Sequence, residues 1–182
     1  MFSERVLNRL AMLGALSLFL STVEYLFPRP IPFMRLGLAN LPVILYLDLL
    51  GPDSKDSTGT YFLLILIKVL GQGMVNGTMV SYVFLFSLAG SFSSGLAMWL
   101  AWRYLRPKIS FLGVSVLGAL ISNMSQILLS IVFIFGPAAW RILPWFLGIG
   151  LGSGFFIGLF ARSFAEKSRW WKALKDSALE MT

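Results

Sequence analysis

The residues able to do chemistry are few, and they stand in apolar surroundings: Glu24, Arg35, Asn40, Lys68, Gln72, Asn76, Asn123 and Gln126. Lys68, Gln72 and Asn76 recur at i, i+4 and i+8 inside "YFLLILIKVLGQGMVNGTMVSYVF", residues 61–84. On a helix of 3.6 residues per turn that spacing drifts only about 40° per step, so the three form one stripe. Asn123 and Gln126 make an i, i+3 pair, with Ser122 and Ser130 nearby. A charged side chain in such a stretch is costly in hydrocarbon and faces a bundle interior or a wet cavity. The chemistry this set offers is binding. Lys68 supplies a cation for a carboxylate or phosphate, and Gln72, Asn40, Asn123 and Gln126 supply hydrogen bonds. Arg35 stands at the outer mouth and Glu24 at the outer end of the first span. The competing reading is structural: Asn and Gln tie membrane helices together, and Lys68 pairs with Glu24. Each polar group left unpaired in hydrocarbon costs several kcal/mol, so the convergence of the whole set favours a pocket open to the outside. Such pockets are mostly apolar, with Phe, Trp and Met expected to complete the lining.

Catalysis has little to work with. The chain has no cysteine and no histidine, which removes thiolate chemistry and the commonest general base and metal ligand. No Walker A, H-E-x-x-H or G-x-S-x-G sequence is present. The carboxylates are Glu4, Glu24, Asp48, Asp53, Asp56, Glu166, Asp176 and Glu180. They make no D-D-x-x-D cluster for magnesium on a diphosphate, and Asp53 and Asp56 read as solvated turn residues. No catalytic residue, metal ligand or directly bound cofactor is assigned.

The elements that must position the polar set are membrane spans. The 182 residues are 57% hydrophobic and only 13% charged, with a mean hydropathy of +0.80; soluble domains are about 25% charged. A spanning helix needs roughly 20 apolar residues. The sequence predicts an all-α integral membrane protein, a single domain over 1–182, with six spans at about 7–27, 37–51, 61–80, 82–102, 111–135 and 142–161. The first is read as a span and not a cleaved leader, since no Ala-x-Ala-type site follows it. The net charge of +7 reads as membrane orientation and not as nucleic-acid binding. With the N-terminus inside, eleven cations fall on the cytoplasmic side: Arg5, Arg9, Lys55, Arg103, Arg106, Lys108, Arg162, Lys167, Arg169, Lys172 and Lys175. Three fall outside: Arg29, Arg35 and Arg141. The positive-inside rule then puts both termini in the cytoplasm of a multi-pass inner-membrane protein.

Two further features concern packing and partners. Ala11 and Ala15 in "AMLGA", and Gly150, Gly154 and Gly158 in "GIGLGSGFFIG", have the spacing that lets helices approach closely. The glycines read as internal packing. The tail "RSFAEKSRWWKALKDSALE" reads as an interfacial helix over about 163–180, with Trp170 and Trp171 at headgroup depth.

At "PFMRLGLANLPVILYLDLLG" the chain resembles a family of small membrane proteins known as heptaprenyl diphosphate synthase component I or Gx transporter proteins. These are similar to the substrate-binding S components of energy-coupling factor (ECF) importers. The likeness continues through "GQGMVNGT", "FLFSLAGSFSSGLAMWL" and "ISFLGVSVLGALISNMSQ". Lys68, Ser122 and Ser125 stand where the family usually has Arg, His and Gly. Lysine keeps the point charge but not the bidentate fork. The resemblance implies a protein that captures a vitamin-like small molecule from outside. It would dock a membrane coupling subunit through an A-x-x-x-A face on span 1, here Ala11 and Ala15. Two cytoplasmic ABC-type ATPases would then use ATP to drive release by toppling of the S component. The other family label implies a membrane subunit in prenyl diphosphate synthesis, for which the missing aspartate cluster argues against chemistry by this chain itself. A stand-alone carrier is the remaining alternative.

Overall fold

A computed structural model describes residues 4–26, 36–50 and 55–179. Seven α-helices are present among them, and no strand: α1 Glu4–Tyr25, α2 Leu41–Leu49, α3 Lys55–Val75, α4 Tyr82–Leu105, α5 Phe111–Ser130, α6 Leu143–Lys167 and α7 Arg169–Leu179. Five helical stretches are long and apolar enough to cross a bilayer, which makes this a multi-pass membrane protein.

The expected second span, about 37–51, is a short helical segment at that place. It is a 3-10 turn, Leu38–Asn40, running into the nine-residue α2, together about 18 Å by the helical rise. That is well short of a roughly 30 Å hydrocarbon core. Gly37, in the left-handed region at φ 86°, opens the turn, and Pro42 sits in the first turn of α2. Every residue from Leu41 to Asp48 is buried. The segment is therefore a core helix enclosed by the others.

Chain direction follows from side-chain pairings. Gly14 lies against Ile67 and Gly71 against Leu18, so α1 and α3 run parallel. Two parallel neighbours require the chain between them to return. The 36–50 stretch does so: Gly37 meets Glu24 and Asn40 meets Lys68 at one end, while Tyr46 meets Thr60 at the other. The rest alternates. Tyr61 bonds Gly95 and Lys68 bonds Ser91; Trp102 packs on Phe111 while Ser125 bonds Ser93; Asn123 reaches Phe146 while Gly158 lies against Leu112.

The third span ends earlier than expected. Gly77 at φ 64° closes α3, with Thr78 N–H on the Gly73 carbonyl at 2.9 Å and Gly77 N–H on the Met74 carbonyl at 3.2 Å. This is the Schellman geometry, in which a left-handed glycine ends the helix. Asn76 belongs to that cap, so the expected three-residue stripe shortens to Lys68 and Gln72.

At the end of the bundle that carries Thr60 and Trp102, α7 folds back onto α2. Asp48, 8% exposed, accepts from Lys175 Nζ at 2.8 Å and from the Trp171 indole N–H at 3.3 Å, with Arg106 at 3.7 Å. Trp171 is fully buried. The expected pair of interfacial tryptophans is corrected accordingly. Trp170 remains exposed, but Trp171 is a core residue, because its N–H has a buried acceptor to satisfy. Asp48→Ala is expected to loosen α7 at a cost of about 1–3 kcal/mol, since it strands the indole donor. The check is faster tryptic cleavage at Lys172 and Lys175, with α1–α6 still protected.

Candidate functional site

The polar residues gather around one cavity in the half of the bundle remote from Asp48. Glu24 comes from α1, Asn40 from the turn before α2, and Lys68 and Gln72 from α3. Ser87 and Ser91 come from α4, Ser115, Ser122, Asn123 and Gln126 from α5, and Ser153 from α6. Helical spacing explains the convergence. Lys68 and Gln72 are one turn apart, as are Ser87 and Ser91, and Ser122 and Gln126, so each pair shares a face.

Lys68 is 4% exposed. Its ammonium donates to Asn40 Oδ1 and to Ser91 Oγ, the latter at 3.1 Å. It thereby joins the turn before α2 to α4 at the wall of the cavity. Glu24, 3% exposed, accepts the Gly37 N–H through Oε1 at 2.9 Å, which holds the left-handed turn against α1. Gln126 donates through Nε2 to Ser122 Oγ at 3.2 Å.

Two glycines make room for these amides. A Cβ on Gly90 would stand 2.7 Å from Gln126 Nε2, and one on Gly150 would stand 2.4 Å from Asn123 Nδ2. Apolar surface is supplied by Leu36, Ala39, Ile44, Met98, Ala119 and Ile157. No aromatic side chain lines the cavity among the described residues, contrary to the Phe and Trp expected from the sequence. The small aliphatic groups follow from the close helix approach that Gly118 and Gly154 permit. The cavity volume is about 40 Å³, room for a few waters at roughly 10–15 Å³ each. A drug-sized ligand needs about 300 Å³ or more, so admission of one requires the helices to part.

Of the residues singled out in the sequence, Glu24, Asn40, Lys68, Gln72, Asn123 and Gln126 share this cavity. Asn76 does not line it, because α3 has ended. Arg35 lies outside the described residues. Asn123 lines the cavity but is also committed to structure: Nδ2 donates to the Phe146 carbonyl at 2.6 Å, tying α5 to the start of α6. Asn123→Leu is expected to cost about 1–3 kcal/mol of stability, read as a fall in melting temperature in detergent. The serines on α4 went unassigned in the sequence, although Ser87 and Ser91 repeat at i, i+4 in "SLAGSFSS".

Ala11 and Ala15 are not among the residues that line the cavity. Both are exposed on α1, in line with exposed Leu7 and Phe19. Together they make a shallow apolar strip at i, i+4, i+8 and i+12.

A multi-pass helical membrane protein with a buried polar site is the class this fold and cavity define. The family model described as heptaprenyl diphosphate synthase component I matches residues 13–164. The chain belongs to that family. No curated protein and no solved structure matches it.

Proposed function

We propose that this protein is the substrate-binding S component of an ECF-type importer, taking up a small vitamin-like or cofactor-precursor molecule with an acidic group. The observation that carries this reading is the enclosed polar cavity. Lys68 and Glu24 both line it, buried among helices built mostly of apolar residues. Ionisable groups are expensive there and mark binding or transport pathways. Lys68 neutralises the acidic group, and Asn40, Gln72 and Gln126 hydrogen-bond the rest. Opening of the helices widens the cavity to admit the ligand.

The exposed Ala11–Ala15 strip supports docking of a coupling membrane subunit, since small residues let another helix come close. The partners are then that subunit and two ABC-type ATPases, which consume the ATP; the chain itself is not an enzyme. The return of the chain through 36–50 supports a six-crossing topology with both ends at the basic face. By the positive-inside rule that face is cytoplasmic, and the membrane is the inner one.

A second reading is favoured by the family's description: a membrane subunit associated with prenyl diphosphate synthesis. The two separate in cells. Mass spectrometry of spent medium is expected to show a small molecule depleted only when the chain and the coupling-ATPase module are expressed together. Depletion by the chain alone identifies a stand-alone carrier, and no depletion in either case overturns the importer.

A further inference from the structure

The cavity is lined by a buried carboxylate, Glu24, as well as by the Lys68 ammonium, and the carboxylate is half used. Glu24 Oε1 takes the Gly37 N–H, but Oε2 has no hydrogen-bond partner among the described residues. Gln72 Oε1, Gln126 Oε1 and Ser87 Oγ face the same cavity in the same condition. Carboxylate and amide oxygens are acceptors only. Turning over the Gln126 amide would exchange its oxygen and nitrogen; Glu24 has no such alternative. A buried acceptor without a donor is unfavourable, more so when charged.

Three acceptor oxygens, on Glu24, Gln72 and Gln126, therefore stand without donors among the described residues, in a site that also offers a cation. A ligand with only an anionic group would bring a second negative charge into the low-dielectric space that Glu24 occupies, where like charges repel strongly. A ligand with only a cationic group would face Lys68. A molecule that carries both signs gives Glu24 Oε2 a donor and sets its acidic group against the Lys68 cation.

Building on the importer reading above, we propose that the ligand is amphoteric: its acidic group faces Lys68 and an amine or protonated ring nitrogen donates to Glu24 Oε2. Gln72 and Gln126 accept further N–H or O–H groups of the same molecule. Such a ligand enters with no net change in the charge of the cavity.

The test uses the full chain in lipid nanodiscs, exposed to the polar small-molecule extract of its source cells and washed. Bound molecules are released by denaturation and identified by accurate mass and fragmentation. The wild type is expected to release a compound with both an acidic group and a basic nitrogen. Glu24→Gln, which still accepts from Gly37, is expected to retain at least about tenfold less, a loss of about 1.4 kcal/mol. Ser87→Ala, which alters neither charge, is expected to lose less and serves as the second variant should Glu24→Gln lower the melting temperature. Release of an acidic compound without a basic nitrogen overturns this inference and leaves the importer standing. So does equal retention by Glu24→Gln. Release of nothing from the wild type overturns the importer reading, and this inference with it.

Discussion

Lys68→Met is expected to weaken ligand binding roughly 30- to 150-fold while the helices still assemble. The substitution keeps the length and apolar stem of the side chain and removes only the ammonium. A charge-assisted hydrogen bond contributes about 2–3 kcal/mol, and each 1.4 kcal/mol is tenfold in affinity. The fold loses the links from Nζ to Asn40 and Ser91. It keeps the Tyr46–Thr60 and Tyr61–Gly95 bonds and the α5–α6 packing. Titration of the released ligand into purified variant, alongside a melting curve, separates affinity from stability. Unchanged affinity would assign Lys68 to helix tying alone.

Gly158→Val is expected to produce the largest loss of folded protein. A Cβ there would stand 2.6 Å from the Leu112 Cα and 3.2 Å from the Phe111 carbonyl oxygen. These are backbone atoms, so no side-chain rotation relieves the clash; α6 must move off α5. Gly154 meets Val116 Cα at 2.9 Å one turn earlier, so the seam would open along its length. Overpacking costs about 1–3 kcal/mol where side chains can yield, and more where they cannot. Gly152 is the internal control: nothing lies within 4 Å of its Cβ position. Gly152→Val is expected to stay within about 0.5 kcal/mol of wild type. Monodisperse yield on size exclusion and melting temperature in detergent report both. Equal behaviour of the two variants would contradict the assigned seam.

The glycine seam was legible because a period of four on an apolar helix puts Gly150, Gly154 and Gly158 on one face. Lys68 was legible for the opposite reason, as a charge where none belongs. Its bond to Asn40 follows from the return of the chain through 36–50, which a hydropathy pattern places but does not pair. Other features were hidden by local detail. Asn76 has the stripe spacing, yet Gly77 ends the helix first. Asn123 has the chemistry of a ligand contact, yet its amide is taken by a carbonyl 23 residues away. The clamp of α7 joins Asp48 to Lys175 across 127 residues. No local pattern carries that separation, and Trp171 reads the same in sequence whether it meets a headgroup or a buried carboxylate. The second helix lies where its apolar run places it, but that run says nothing of how tightly the neighbours enclose it.

The importer reading stands or falls on its partners. The most direct measurement is a pull-down of the tagged full chain from its native membranes in mild detergent, with mass spectrometry of what it brings down. The predicted result is a coupling membrane subunit with two ABC-type ATPases, lost on Ala11→Leu or Ala15→Leu and kept in Lys68→Met. Recovery of a soluble prenyl diphosphate synthase without ATPases would contradict the importer.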